Sequence, residues 1–239
     1  MYKRVLLKIS GEALRDEKSF LIFDVEQMER ITNVMKQMHD DGVQICVVIG
    51  AGNIWRGKLA NKIGIEPVPA DFMGMLGTVI NAVAMSSQLK NKGVDSVVYS
   101  AVPAIDGVTV AYNEESANQS LAENKVVFLA GGTGKPFFTT DTAAALRAIE
   151  LNCNAILMGK NGVDGIYSDD PDNNPDAEFF KVITFNEIIK RKLQVMDLSA
   201  VELIKDTDID VRVFSMADPI NFLKVAQGEE IGTTVKRGE

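Results

Sequence analysis

The sequence predicts an α/β fold, a three-layer sandwich with a mainly parallel central sheet and helices on both faces. Three observations predict it. Short apolar runs without polar alternation recur along the chain, at 5–7, 45–49, 126–130 and 155–158, as strands buried on both faces require. Segments with apolar residues at helical spacing separate them. Several runs also end in glycine- or hydroxyl-rich loops, giving the alternation of strand, loop and helix from which parallel sheets are built.

The elements follow in order. Residues 4–10 read as a buried first strand and 11–14 as the start of a turn. Asp24 is placed to cap a helix whose apolar face is Val25, Met28, Ile31, Val34, Met35 and Met38, ended by Gly42. Residues 44–49 form a second strand, closed by Gly50-Ala51-Gly52-Asn53. After a loop containing Trp55, Arg56 and Gly57 and a polar stretch to Ala70, Asp71 is expected to cap a long Met- and Ala-rich helix through Leu89. Residues 96–99 make a third strand. Residues 102–111, centred on Asp106-Gly107, read as a β-hairpin or a strand with a turn. A short helix over 113–121 and the strand at 126–130 lead into Gly131-Gly132-Thr133-Gly134 and a helix to about Asn152. Strands follow at 155–158, 163–167 and 180–184, the last two flanking a polar loop, then helices at 184–192 and 198–205. A strand at 210–214, a helix opened by Asp218-Pro219 and a strand at 233–236 complete the chain. The 239 residues read as one domain, with lobes of about 1–150 and 151–239.

Composition narrows the function. A net charge of −8 argues against nucleic-acid binding through a basic surface. No apolar run reaches the ~18 residues of a membrane span, and the first apolar segment is short for a signal peptide. The two cysteines, Cys46 and Cys153, lie in or beside apolar segments. They are expected to be buried thiols of a cytoplasmic protein, not a disulfide or metal pair. The single histidine, His39, nearly excludes His-based catalysis or a His-rich metal site, and is expected at an exposed helix end.

Four loops carry the chemistry: 8–11, 50–53, 131–141 and 159–165. Glycines let a backbone approach a ligand, and amides converging from several loops on one sheet edge suit a polyphosphate. The nearest familiar motifs fail. Gly52 to Lys58 has Walker A spacing, but Leu59 stands where a Mg²⁺-binding hydroxyl is needed. Gly50-Ala51-Gly52 lacks the third glycine of a dinucleotide fingerprint, with Trp55 in its place. Lys8 at the end of the first strand and Arg56 beyond the second glycine loop are cations of the kind that neutralise charge as a phosphoryl group moves. Asp141 and Asp170 can orient a lysine or a hydrated Mg²⁺.

At this level of detail the chain resembles the bacterial uridylate (UMP) kinases, of the amino-acid-kinase fold shared with carbamate kinase, acetylglutamate kinase and aspartokinase. The resemblance is carried by Lys8-Ile9-Ser10-Gly11-Glu12-Ala13-Leu14, Val48 to Asn53 with Arg56-Gly57, Asp71-Phe72-Met73-Gly74-Met75, Gly132-Thr133-Gly134 with Pro136 to Asp141, Val163 to Tyr167, and Val195-Met196-Asp197-Leu198. It runs in order from about residue 2 to 236. It implies transfer of the ATP γ-phosphoryl group to UMP, giving UDP and ADP in pyrimidine nucleotide synthesis, with Mg²⁺ carried by ATP and no metal ligands from the protein. The residues implied at the ATP site are Lys8, Ile9, Ser10, Gly11, Gly52, Arg56, Asn161, Tyr167 and Asp170. Those implied at the UMP site are Ala51, Asp71, Thr133, Gly134, Lys135, Pro136, Phe137, Phe138, Thr139 and Thr140, with Asp71 on the ribose hydroxyls and Thr140 nearest the phosphate. Lys8, Arg56 and Asp141 are the implied catalytic residues, and Lys160 a second cation. The lobe at about 1–150 becomes the acceptor lobe and that at 151–239 the ATP lobe. UTP feedback at the acceptor site and a homohexamer, with the 71–89 helix as an interface, are also implied.

The sequence departs from the family pattern in four places. Ala51 replaces a glycine, Lys135 stands where asparagine is expected, and Trp55 where phenylalanine is expected. Residues 15–22 lack the glycines of the family's GTP-activation segment, which argues against activation by GTP. Two other readings stand beside this one: a small-acid kinase of the same fold, such as an acetylglutamate or carbamate kinase, and a nucleotide-sensing protein without catalysis. Asp71 and the 136–141 run argue against the first, and intact Lys8, Arg56, Asp141 and Asp170 against the second.

Overall fold

The computed structural model describes residues 1–16, 21–171 and 173–238. The 15–22 segment, read above for its missing glycines, includes residues 17–20, which lie outside the described residues. In chain order the elements are β1 (Arg4–Ile9), α1 (Val25–Asp40), β2 (Gln44–Ile49), α2 (Pro67–Asn91), β3 (Ser96–Ser100), β4 (Val110–Ala111), α3 (Glu114–Ala122), β5 (Val126–Ala130) and α4 (Thr140–Glu150). Then come β6 (Ala155–Lys160), β7 (Ile166–Tyr167), β8 (Phe179–Phe180), β9 (Val182–Thr184), α5 (Phe185–Arg191), α6 (Leu198–Ile204), β10 (Asp210–Ser215), α7 (Ile220–Gln227) and β11 (Thr233–Lys236). Nine strands form one sheet in the order β4-β3-β5-β2-β1-β6-β10-β11-β9. It is parallel from β4 to β10 and turns antiparallel only between β10 and β11, while β7 and β8 pair as a separate hairpin.

Strand alternation sorts the core into two layers. Val5, Leu7 and Ile9 of β1 face α1, α2 and α7. Leu6 faces α3, α4, α5 and α6 across the other side, with Cys46, Val48, Ile156 and Met158. The three-layer α/β expectation therefore holds. The same alternation puts Lys8 and Lys160 on the α4 side of the two adjacent strands β1 and β6.

Several local expectations are corrected. The long helix starts at Pro67, four residues before Asp71, and Glu66 takes the N-cap position. Prolines 67 and 69 sit in its first turn, where an amide hydrogen is not needed, so they open the helix instead of delaying it. The stretch before it is not a plain loop: Gly57–Ile63 makes 3₁₀ turns that end at Gly64, with φ of 74°. Of the two readings of residues 102–111, the hairpin fails and the strand with a turn holds in the short β4. Thr109 N bonds back to Ile105 O at 2.9 Å, and β4 returns parallel to β3. The tight turn uses the backbone groups that an antiparallel partner would need. His39 is half-buried, not exposed, because the end of α1 abuts the turn after α3 and His39 Nε2 lies 2.8 Å from Asn124 O. Helix α2 is long and apolar enough to cross a membrane by length and composition, although polar residues interrupt its apolar run; here it packs on β2, β3, β5 and α1. Cys46 and Cys153 are buried and free, with their sulfurs 4.0 Å apart.

Candidate active site

Four neighbouring strands, β5, β2, β1 and β6, run parallel, so the loops that leave their C-terminal ends lie along one edge of the sheet. These are the four glycine-bearing loops of the sequence. The β1 and β2 loops touch directly. Gly50 N donates to Ile9 O at 2.9 Å. A Cβ on Gly11 would overlap the Gly50 carbonyl oxygen and come within 2.6 Å of Gly52 N. Only glycine permits that approach. The Ile9 side chain is fully buried in the core, so only its backbone reaches the loop, and its carbonyl is already engaged.

At the centre, Lys8 Nζ lies 2.7 Å from Asp141 Oδ1, and the two side chains are 14% and 17% exposed. Lys8 arrives from the end of β1. Asp141 arrives from the first turn of α4, where the helix dipole favours a carboxylate. Lys160 approaches from β6 and donates to Val195 O at 2.6 Å. Burial pushes its pKa down. Asp141 opposes that shift, and the charge of Lys8 adds to it. Two lysines and one aspartate thus converge in a half-dry pocket, which concentrates positive charge where an anion can enter. Arg56 does not join this group. It is about half exposed, with Nη2 3.0 Å from Glu12 Oε1 and Nε 3.4 Å from Gly52 O.

Cavities flank the centre. One of about 310 Å³ is lined by Ala51, Trp55, Asp71, Phe138, Thr139 and Thr140 among others. It holds five of the residues expected at the UMP site. Thr133, Gly134, Lys135, Pro136 and Phe137 lie outside its lining, in the loop beyond. Phe137 is 72% exposed, with φ of 69°, and its amide donates to Asp71 Oδ2 at 2.6 Å. Its ring stands largely in solvent and lines none of the cavities described here. On the other side, a cavity of about 660 Å³ is lined by Lys160, Tyr167, Asp170 and Val195 among others. A neighbouring one of about 720 Å³ reaches from Lys160 and Val195 to Asp141 and Asp197. Tyr167 stacks edge-on against Phe179 at 5.1 Å and donates to Asp164. Asp170 accepts from Asn173 Nδ2 at 2.6 Å, and Asn161 is exposed and lines neither cavity.

Sequence reasoning gave no role to Asp197, Thr142, Glu12 or Asn81. Asp197 caps α6 through Ala200 N and accepts from the hydroxyls of Thr139 and Thr142, tying the start of α4 to the start of α6. The available signal was Asp197 just before a helical run, a cap pattern that says nothing of its second partner. No cluster of three or more His, Cys, Asp or Glu side chains suited to a metal occurs among the described residues. Of the carboxylates nearest the centre, Asp141 is ion-paired with Lys8 but its buried Oδ1 has no hydrogen-bond partner among the described residues, and Asp197 accepts from the two threonines. A donor set this small suits a metal that takes most of its coordination from a ligand's phosphates.

Comparison with known proteins agrees with this arrangement. The model of the amino acid kinase family matches residues 3–215. A uridylate kinase of Streptococcus thermophilus is 47% identical over 234 residues, 98% of this chain and 95% of that protein. Among solved structures, a UMP kinase from Bacillus anthracis superposes with a TM-score of 0.95 at 36% identity, over 100% of this chain and 97% of its own. A UMP kinase from Ureaplasma parvum gives 0.93 at 34%, over 99% and 100%. With its glycine loops on one edge, its central lysine–aspartate pair and a family match over most of its length, this chain belongs to the amino acid kinase family.

Proposed function

We propose that this protein transfers the γ-phosphoryl group of ATP to UMP, producing ADP and UDP in pyrimidine nucleotide synthesis. The observation that carries the reading is the Lys8–Asp141 pair set between a small hydroxyl-lined cavity and two larger ones. The near full-length likeness to uridylate kinases supports it. UMP fits the small cavity, with its ribose hydroxyls on Asp71 and its phosphate near Thr140 and the Ala51 amide. ATP fits the other side, with its nucleoside by Tyr167 and Asp170, Asn161 at the rim, and its phosphates over Ser10, Gly11 and Gly52. The lobes at about 1–150 and 151–239 then serve acceptor and donor.

The reaction breaks the bond between the γ-phosphorus and the β–γ bridging oxygen and forms one to a UMP phosphate oxygen. A monophosphate is mostly dianionic at pH 7, so the nucleophile needs no general base. The single histidine is therefore no obstacle. The protein's task is to place two anions in line and neutralise the charge between them. Lys8, held by Asp141, and Lys160 supply fixed positive charge, and Arg56 can leave exposed Glu12 to reach the transferring group. Mg²⁺, carried by the ATP phosphates, would supply further charge neutralisation there.

The apolar residues Val68, Phe72, Leu76 and Ile80 recur every fourth position on the exposed side of α2, and each is 39–53% exposed. This stripe supports self-association through α2 toward the hexamer, which analytical ultracentrifugation tests. UTP resembles UMP in its uridine part, so inhibition by UTP competitive with UMP is expected at the acceptor cavity. GTP is expected to have no effect on rate, and a cytoplasmic site fits the free thiols.

An assay coupled to ADP release, run with UMP, CMP, carbamate and acetylglutamate and repeated with GTP and UTP, tests the function. Turnover with an acid but not with UMP would overturn the substrate. Tight nucleotide binding without turnover would leave a sensor, not an enzyme.

A further inference from the structure

Asn81 is fully buried in the middle of α2, a position where a helix in contact with the sheet normally carries an apolar side chain. It lines none of the cavities described above. One of its amide hydrogens goes to Gly50 O at 2.7 Å and the other to Asn53 Oδ1 at 2.9 Å. Its oxygen accepts from Asn53 Nδ2 at 3.0 Å, and Asn53 Nδ2 also donates to Ile22 O. A buried carboxamide so fully engaged rigidifies what it touches.

What it touches is the β2 loop. The amides of Ala51, Gly52 and Asn53 have no protein acceptor among the described residues. The carbonyls beside them are all occupied. Ala51 O accepts from Ile54 N and Trp55 N, Gly52 O accepts from Arg56 Nε, and Gly50 O accepts from Asn81. An anion is drawn to N–H groups and repelled by C=O groups, so a loop cradles phosphate only when its carbonyls are held away. The Gly50 carbonyl is the one held by a buried side chain from another element. One turn earlier on α2, Thr78 Oγ1 accepts from Gly131 N at 2.8 Å, anchoring the acceptor loop in the same way. Helix α2 therefore grips two glycine loops from behind.

We infer that Asn81 is a positioning residue for phosphate binding: it holds the Gly50 carbonyl back so that the Ala51, Gly52 and Asn53 amides face the transferring phosphates. The inference rests on the phosphoryl-transfer reading given above. Asn81→Asp is nearly isosteric but replaces the donor facing Gly50 O with an anionic oxygen. Asn81→Ala removes the donor without adding charge and serves if the aspartate variant fails to fold. Ser86→Ala and Met85→Ala, buried on the same helix but not bonded to the loop, are controls for lost stability.

Calorimetry with ATP and with adenosine separates phosphate from nucleoside binding. The expected result is that Asn81→Asp and Asn81→Ala weaken ATP by tenfold or more, leave adenosine within about twofold, and lower kcat/KM for UMP by a similar factor. The Ser86 and Met85 variants lower the melting temperature and keep the wild-type ATP-to-adenosine ratio. Equal weakening of ATP and adenosine, or an unchanged ratio in both Asn81 variants, would overturn the inference. Wild-type protein that binds ATP but does not turn over UMP would count against the proposed function and not against Asn81, whose test is that ratio.

Discussion

Replacing Lys8 by methionine keeps most of the side-chain volume and removes the charge at the centre of the site. The structure allows the effect to be sized. Lys8 Nζ and Asp141 Oδ1 are 2.7 Å apart and both side chains are mostly buried. At an effective dielectric constant of about 20, their gross attraction is about 6 kcal/mol. Desolvation offsets much of that, but removing one partner leaves the other charge buried and costs about 3–5 kcal/mol. Lys160 stands near enough to Asp141 to compensate partly, so about 3 kcal/mol is the expected loss of stability. The rate is a separate quantity. A fixed charge aimed at a developing anion contributes about 10²–10³ in kcat. The cavity proposed for UMP does not include Lys8 in its lining, so the UMP KM should stay within about threefold of wild type. Lys8→Met with Asp141→Asn separates the two effects: the double variant should regain stability relative to Lys8→Met and should not regain rate. Coupled ADP release and urea denaturation measure both. A normal kcat with only a raised UMP KM, or recovery of rate in the double variant, would refute the reasoning.

Arg56→Ala should lower kcat by tenfold or more while urea stability changes by less than about 1 kcal/mol, since its pairing with Glu12 is half exposed; a large loss of stability would contradict this. Asp71→Ala should raise the UMP KM about 10- to 100-fold and leave the ATP KM unchanged, because it removes a charge-assisted partner worth roughly 1.5–3 kcal/mol; an unchanged UMP KM in steady-state kinetics refutes it. Gly11→Ala should destabilise the protein by at least about 2 kcal/mol in urea denaturation, because its Cβ would overlap the Gly50 carbonyl, which is backbone and cannot rotate away. Lys160 has a pKa depressed by burial, so the unfolded chain holds that proton more tightly than the folded one. Stability should therefore rise with pH between the depressed folded value and the ordinary lysine value, and Lys160→Met should flatten that rise; an identical pH slope in the two proteins would show that Lys160 is not responsible.

Much of the fold was legible because the central strands are buried on both faces. Val5 to Leu7 and Ile45 to Ile49 are continuous apolar runs for that reason, and no amphipathic period competes with them. The place of Lys8 at the end of the first strand was legible too, and in the structure it shares the Leu6 face of β1. Element ends were less legible where backbone chemistry overrode pattern. The stretch to Ala70 read as polar loop, yet Pro67 opens α2 there, and of the two readings of 102–111 the hairpin fails while a turn followed by a short parallel strand is found. The glycine loops were visible as candidates. Arg56 was visible as a cation, but its partner Glu12 was not, and neither was the exposure of Phe137, which its backbone conformation sets.

The sequence by itself determined which residues can bear charge, which segments must be buried and which loops can approach an anion, because each of these follows from side-chain chemistry and local periodicity. Only the tertiary structure decided which of them meet. Lys8 and Asp141 are more than half the chain apart, Asn81 reaches Gly50 from the middle of a helix, and Asp197 joins α6 to the start of α4. The sheet order β5-β2-β1-β6 places four loops on one edge although the chain visits them in a different sequence. Such contacts depend on strand order and helix packing, which are properties of the whole buried core, and no local pattern in the chain encodes them.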